Sequence, residues 1–196
     1  MQGWRKRMED AHITDISQGA SKSLNVFGVF DGHGGKEVSQ YVSHHFTDEL
    51  LKNQNYLNNK LDVALKETFI KMDEIMQTPE GKEELKVYAR KSKEDDELQD
   101  KTNPPSSQMQ LLSQLMGAKN PESDDIALRT GCTGCVCTID ANSKKLYFAN
   151  AGDSRVVMCK DGKAIPMSTD HKPELETEKE RIYKADGWIT EGRVKG

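Results

Sequence analysis

Apolar and polar positions follow three textures along the chain. Residues Leu24–Phe30 form a nearly continuous apolar run that ends at Asp31-Gly32-His33-Gly34-Gly35. A short run closed by glycines reads as a strand buried on both faces, turning sharply at its end. Over 36–52, Val38, Tyr41, Val42, His45, Phe46 and Leu50 recur at helical spacing. Leu61, Leu65, Thr68, Phe69, Met72, Ile75 and Met76 repeat the pattern over 60–77. The spacing predicts two amphipathic helices, antiparallel across the polar link 53–59.

The second texture covers 79–129. Pro79, Gly81, Pro104, Pro105, Gly117 and Pro121 punctuate it, and it holds 11 acids and 8 bases. Apolar periodicity fades except at Met109, Leu111, Leu112, Leu115 and Met116. The pattern predicts a polar insertion, partly without regular structure, with a short helix near 106–117. Its plainest role is that of a tolerated surface segment; docking is the alternative.

The third texture is β. Runs at 132–139, 144–150, 154–160 and 163–168 are rich in Val, Ile, Tyr, Phe and Cys. Turn signals at 140–143, Gly152-Asp153 and Asp161-Gly162 separate them, the Asp-Gly pair being the strongest hairpin mark. Asp170-His171-Lys172-Pro173 then opens a charged helix over about 173–186, with Gly187 as the expected C′ residue. A last strand is expected from Trp188-Ile189-Thr190. Helices segregated from hairpins predict an α+β fold with antiparallel sheets.

Composition sharpens this picture. Of 196 residues, 35% are hydrophobic and 31% charged. The modest apolar share is concentrated outside 79–129, so that segment dilutes an otherwise ordinary core. The net charge of −4 offers no basic footprint for nucleic acid. No apolar run approaches the roughly 18 residues of a membrane helix. Residues 1–30 lack a secretory h-region, so the expected location is intracellular, cytoplasmic and/or nuclear. Four cysteines, three of them at 132, 135 and 137, do not make a disulfide scaffold. On one strand, Cys135 and Cys137 share a face and Cys132 has opposite parity, so the expectation is buried apolar cysteine rather than zinc.

Two constellations could carry chemistry. One is Gly3-Trp4-Arg5-Lys6-Arg7-Met8-Glu9-Asp10-Ala11-His12, the other Asp31-Gly32-His33-Gly34-Gly35. Adjacent on a strand, Glu9 and Asp10 point to opposite faces. One can bind a metal while the other holds water or serves structure. Asp31 at the end of a buried strand needs a partner, and a divalent cation is one. The glycines let a carbonyl such as that of Gly32 face the same ion. An all-oxygen donor set suits Mg²⁺ or Mn²⁺ better than zinc. Arg5 is a natural phosphate partner, and His33 can donate a proton. Taken singly, the pentapeptide could equally be a turn, and Glu9-Asp10, Lys6 and Arg7 solvated charges. His12, His44 and His45 read as packing or surface residues.

Together these residues resemble the metal-dependent protein serine/threonine phosphatases of the protein phosphatase 2C type. The blocks are Gly3-Trp4-Arg5 with Met8 to His12, Val26 to Gly35, Asn150-Ala151-Gly152-Asp153-Ser154-Arg155, Asp170-His171-Lys172-Pro173 with Glu180-Arg181-Ile182, and Arg193-Val194-Lys195-Gly196. They stand in the family's order and cover nearly all of the chain outside 79–129.

The resemblance implies an antiparallel β-sandwich flanked by helix pairs, an α-β-β-α stack, incomplete here at both ends. It implies a two-metal centre in which Asp31 bridges Mg²⁺ or Mn²⁺ ions, Gly32 lends a carbonyl and Glu9 binds the second ion. Asp10 would orient metal-bound water, Arg5 would hold the substrate phosphate and His33 would be the general acid. Asp153 matches a third, weaker metal position of some members. The implied reaction is hydrolysis of phospho-Ser and phospho-Thr by metal-activated water. The expected partners are phosphoprotein substrates, without nucleic acid or membrane, and the chain is expected to be a monomer. Two other classes fit the residues less well. A non-catalytic phosphatase-like regulatory module is disfavoured by retention of Arg5, Glu9, Asp10, Asp31 and His33. A metal-dependent nuclease is disfavoured by net acidity.

The pattern departs from the family in three ways. Gly131-Cys132-Thr133-Gly134 stands where Gly-Ser/Thr-Thr-Ala is usual. The link to Gly131 is long. The family's later aspartate motifs do not occur before Gly196, and its first strand does not precede Gly3. Residues 1–196 are therefore expected to be the N-terminal part of one phosphatase domain, with little or no activity alone.

Overall fold

The computed structural model describes residues 2–5, 7–16, 24–102 and 125–195. Its main sheet has four antiparallel strands, in the order β1 (Ala11–Asp15), β2 (Leu24–Phe30), β5 (Gly134–Asp140), β6 (Lys145–Ala151). The apolar run Leu24–Phe30 is central, but it is not buried on both faces as its composition predicts: Leu24, Val26 and Phe30 are buried while Val29 is exposed. Alternation along the strands puts Ile13, Leu24, Val26, Phe30, Val136 and Thr138 on one buried face. Phe27, Val29, Cys135, Cys137 and Phe148 lie on the other, which is only partly covered.

The buried face meets α1 (Glu37–Lys52) and, beside it, α3 (Leu61–Met76), whose Phe69 packs on Gly134. Val38, Tyr41, Val42, Phe46 and Leu50 form the inner stripe of α1, and Leu61, Ala64, Leu65, Met72 and Met76 that of α3. Phe46 joins the layers, its ring centroid 6.0 Å from that of Phe30 and 5.2 Å from that of Phe69. Full burial of such a side chain contributes roughly 1.5–3 kcal/mol. The link between the helices contains one extra turn, α2 (Gln54–Leu57), capped by the Asn53 side chain, which accepts from the Asn55 and Tyr56 amides.

The first half of the 79–129 segment differs from the expectation. It is a 24-residue helix, α4 (Pro79–Thr102), packed against α1 and α3. Pro79 starts this helix rather than breaking it: the Gly81 amide donates to Thr78 Oγ1 at 3.0 Å, placing Pro79 at the first helical position. Buried positions recur at Gly81, Leu85, Ala89 and Ser92, a stripe one residue wide. Three of the four are small, so a hydrophobicity count barely registers them. A Cβ on Gly81 would run into the Ile75 carbonyl oxygen, which shows how closely α4 leaves α3. The short helix expected near 106–117 lies outside the described residues.

The remaining strands are two-stranded ribbons: β3 (Gly32–His33) with β4 (Gly131–Cys132), β7 (Val157–Lys160) with β8 (Lys163–Pro166), and β9 (Trp188–Thr190) with β10 (Arg193–Lys195). Asp161 and Gly162 both have positive φ, as the hairpin signal requires, and Glu191-Gly192 repeats that turn. The charged helix is shorter than its pattern suggests, α5 (Glu176–Lys184). Its left-handed C′ residue is Asp186, φ 60°, not Gly187. The Gly187 amide donates to the Ile182 carbonyl and the Asp186 amide to that of Tyr183, a Schellman closure shifted one residue earlier. The fold is α+β with antiparallel sheets, and the four-stranded sheet with its helical layer is its largest unit.

Candidate active site

Strand register builds the site. Ala11 faces Phe30. Continued one and two steps beyond the pairing, the same register sets Asp10 opposite Asp31 and Glu9 opposite Gly32. The second approach is tight, since a Cβ on Gly32 would strike the Glu9 carbonyl oxygen. Ser39 Oγ also donates to that oxygen, at 2.5 Å, pinning the Glu9 main chain to the start of α1.

On the other side of β2, Asp31 meets Thr133. The Asp31 amide donates to Thr133 Oγ1 at 3.3 Å, and the Thr133 amide donates back to the Asp31 carbonyl at 2.9 Å. Thr133 Oγ1 and Ser154 Oγ share a hydrogen bond of 2.7 Å. Gly134 faces Ala151, so Thr133 and Gly152 are the next pair, with Asp153 just beyond. Asp10, Asp31, Thr133 and the Gly152-Asp153 turn thus form a row across one end of the sheet.

Electrostatics match this row. The Asp31 carboxyl is raised above its ordinary value, first by partial burial, then by the charges of Asp10 and Asp153; His33 and Arg5 pull it back. One carboxylate therefore feels four of the other residues singled out from the sequence. His33 projects from the ribbon opposite Gly131, where even a methyl group would press on its ring. Arg5 lies in a turn whose amide donates to the Gln2 carbonyl, 3.2 Å away. Gly32 is buried, and the side chains of Arg5, Asp10, Asp31, His33 and Asp153 are exposed. The acids share a region without closing on a point. Among the described residues, no group of three His, Cys, Asp or Glu side chains stands ready to hold a metal ion. The donors are nonetheless carboxylate and carbonyl oxygens, and crowded like charges favour a divalent cation of the Mg²⁺ or Mn²⁺ type.

Several supporting residues escape a motif-by-motif reading. Arg155 makes a two-pronged contact with Asp170, Nε to Oδ1 at 2.8 Å and Nη2 to Oδ2 at 2.7 Å. With Lys172 nearby, this holds the Asp170 carboxyl down at about 2. The His171 amide donates to the Gly152 carbonyl at 2.9 Å, and Asn150 Nδ2 donates to the carbonyls of Gly152 and Thr169. The Asp153 turn is thus braced by the Asp170-His171 stretch. Only the co-occurrence of the two blocks hinted at this. Arg7, read from sequence as a solvated charge, pairs with Asp96 of α4 at 3.0 Å.

The cysteines are half-buried rather than buried, except for exposed Cys159. Cys132 is on β4, apart from Cys135 and Cys137 on β5. Its thiol is pushed up to about 12, chiefly by burial and then by the charges of Asp73 and Asp31. It lines a cavity of about 380 Å³ together with Phe69, Met72, Met76 and His33.

An α+β fold with an acidic, arginine-flanked site at one sheet end defines the class. The family model described as "Protein phosphatase 2C" matches residues 1–88 and 80–196, two stretches that overlap within α4. "Protein phosphatase 2C 1" of Paramecium tetraurelia is 46% identical over 198 residues, covering all of this chain and 53% of the relative. "Probable protein phosphatase 2C 21" of Arabidopsis thaliana is 39% identical over 209 residues, covering all of this chain and 55% of the relative. Among solved structures, a phosphatase from Toxoplasma gondii superposes with a TM-score of 0.54 at 20% identity, over 98% of this chain and 58% of that one. A C. elegans sex determining protein gives 0.53 at 23% identity, over 98% and 39%. The chain belongs to the protein phosphatase 2C family. It spans about half the length of the curated relatives it matches.

Proposed function

We propose that the protein carrying this chain is a Mg²⁺- or Mn²⁺-dependent protein serine/threonine phosphatase. The observation that carries this reading is the row at the sheet end, where Asp10, Asp153, His33 and Arg5 all act on Asp31. Glu9, Asp31 and the Gly32 carbonyl are the donors we assign to a pair of ions, with Asp153 assigned to a third. Bound there, such ions supply a lowered pKa for water and counter-charge for phosphoryl oxygens.

The chain's own residues do the rest. Asp10 accepts a hydrogen bond from the attacking water and aims it in line with phosphorus. Arg5 grips two phosphoryl oxygens, which orients the phosphate and meets the charge that builds on it. His33 gives its proton to the departing Ser or Thr oxygen. The Thr133–Ser154 contact and the Arg155–Asp170 brace hold the Asp31 and Asp153 backbones in place. No covalent phosphoenzyme is needed. The half-buried Cys132 keeps its proton and is no nucleophile.

The test is release of phosphate from phosphoserine and phosphothreonine peptides by the full-length protein, with Mn²⁺ and after chelation. Chelator-sensitive release is expected; release that chelator leaves unchanged sinks the metal-dependent reading. Residues 1–196 alone are expected to release little or none.

A further inference from the structure

We infer that α4 is a positioning clamp for the two motif loops of the active site, with Asp95 and Asp96 as its jaws. This inference rests on the phosphatase reading above. Asp96 pairs with Arg7 at 3.0 Å, and Asp95 with Lys36 at 2.6 Å. Arg7 stands two residues from both Arg5 and Glu9. Lys36 follows His33 across Gly34 and Gly35, both at positive φ. Adjacent residues of one helix therefore reach both loops, which line one cavity with it. At the other end of α4, Lys82 pairs with Asp125 at 2.8 Å, next to the turn Ile126–Leu128 that leads into β4 beside His33.

Ser39 already pins the Glu9 main chain to α1, and the two ion pairs add an anchor at Arg7 and at Lys36. Residues 7–10 form no helix or strand, and two glycines separate Lys36 from His33. At about 3.3–3.6 Å per residue, fixing Arg7 keeps Arg5 and Glu9 within about 7 Å of a set point. The helix itself is anchored, with Leu85, Ala89 and Ser92 buried. Lys36 and Asp96 are the more enclosed partners, with side chains 17% and 22% exposed, so each pair has one fixed end. Between helix and loops lies a cavity of about 650 Å³ lined by Arg7, Glu9, Gly34, Lys36, Asp96 and Arg129. Two ion pairs thus join the loops to α4 beside this cavity.

The experiment uses full-length protein and three variants: Asp96→Asn, Asp95→Asn, and the exchange Arg7→Asp with Asp96→Arg. Three quantities are read: the rate of trypsin cleavage after Arg5 in metal-free protein, Mn²⁺ affinity by calorimetry, and KM against kcat on a phosphopeptide. For Asp96→Asn the expectation is cleavage about fivefold faster, Mn²⁺ bound about threefold more weakly, and KM raised more than kcat is lowered, the scale of one exposed ion pair. Asp95→Asn should weaken Mn²⁺ binding by a similar factor without exposing Arg5. The exchange should return cleavage and affinity to within about twofold of the parent, and KM rising more than kcat falls marks positioning rather than a general loss of structure. Unchanged cleavage and unchanged Mn²⁺ affinity in Asp96→Asn overturn the clamp. So does failure of the exchange to restore them. If the parent hydrolyses no phosphopeptide, the phosphatase reading falls, while cleavage and Mn²⁺ affinity still decide the clamp.

Discussion

At the end of the main sheet, Asp31 shares its surroundings with Asp10 and Asp153, and partial burial, then their charges, lift its carboxyl. On α4, Asp95 and Asp96 are as close in sequence as acids can be, yet each faces a cation, Lys36 and Arg7. The first arrangement stores repulsion at a place where chemistry is proposed. The second resolves it at a place that only holds other parts still. Sites that work on ligands often carry such unfavourable charge, and the surrounding fold offsets it.

Removing charge should therefore have opposite consequences in the two regions. The largest effect is expected at Asp31. In the full-length protein, Asp31→Asn should lower phosphate release by about a hundredfold or more, while the melting temperature of the metal-free protein rises. A fall in that temperature would break the contrast, since it would mean the charge supports the fold. Next comes Gly32→Ala. Its Cβ would collide with the Glu9 carbonyl oxygen, so the two strand ends must part. Urea unfolding should register a loss of about 1–3 kcal/mol, together with weaker Mn²⁺ binding.

Asp170 offers a third test, because its charge is favoured rather than resisted. Its folded value of about 2 lies below the ordinary 3.8. Its contribution is therefore complete above the unfolded value and disappears as pH falls from about 4 toward about 2. Asp170→Asn should flatten the stability curve in that window, as followed by circular dichroism. A curve as steep as the parent's would remove Asp170 from the account. The smallest effect is expected on α4: Asp95→Asn or Asp96→Asn should cost only about 0.2–1 kcal/mol of global stability. Raised salt should shrink that difference further.

Much of the candidate site's layout was legible in the sequence because the proposed chemistry requires particular residue types at turns. Asp31 followed by glycines, and Asp153 after Gly152, mark strand ends where a carboxylate can stand clear of the sheet. Register then does what spacing alone cannot, bringing residues 10, 31, 133 and 153 into one row. The α4 helix was hidden for a physical reason. Its buried stripe uses Gly81, Ala89 and Ser92, whose value lies in being small, and only Leu85 announces a core position. Pro79 and Gly81 look like punctuation until Thr78 is seen capping them. Arg7 could not be assigned because its partner is 89 positions away on that unrecognised helix. The pattern carries α5 to 186, two residues past its end at Lys184, because Asp186, not the neighbouring glycine, takes the left-handed conformation.

The cysteines give an experimentalist a practical opening. Cys132 carries a thiol held protonated up to about 12, beside the proposed site. Cys159 sits exposed on β7, on a ribbon remote from α4 in sequence. Alkylating dyes need access, so exposed Cys159 should take up label before half-buried Cys132, Cys135 and Cys137, whose thiols burial pushes up. A fluorophore could then report on motion of the chain without a cysteine-free background.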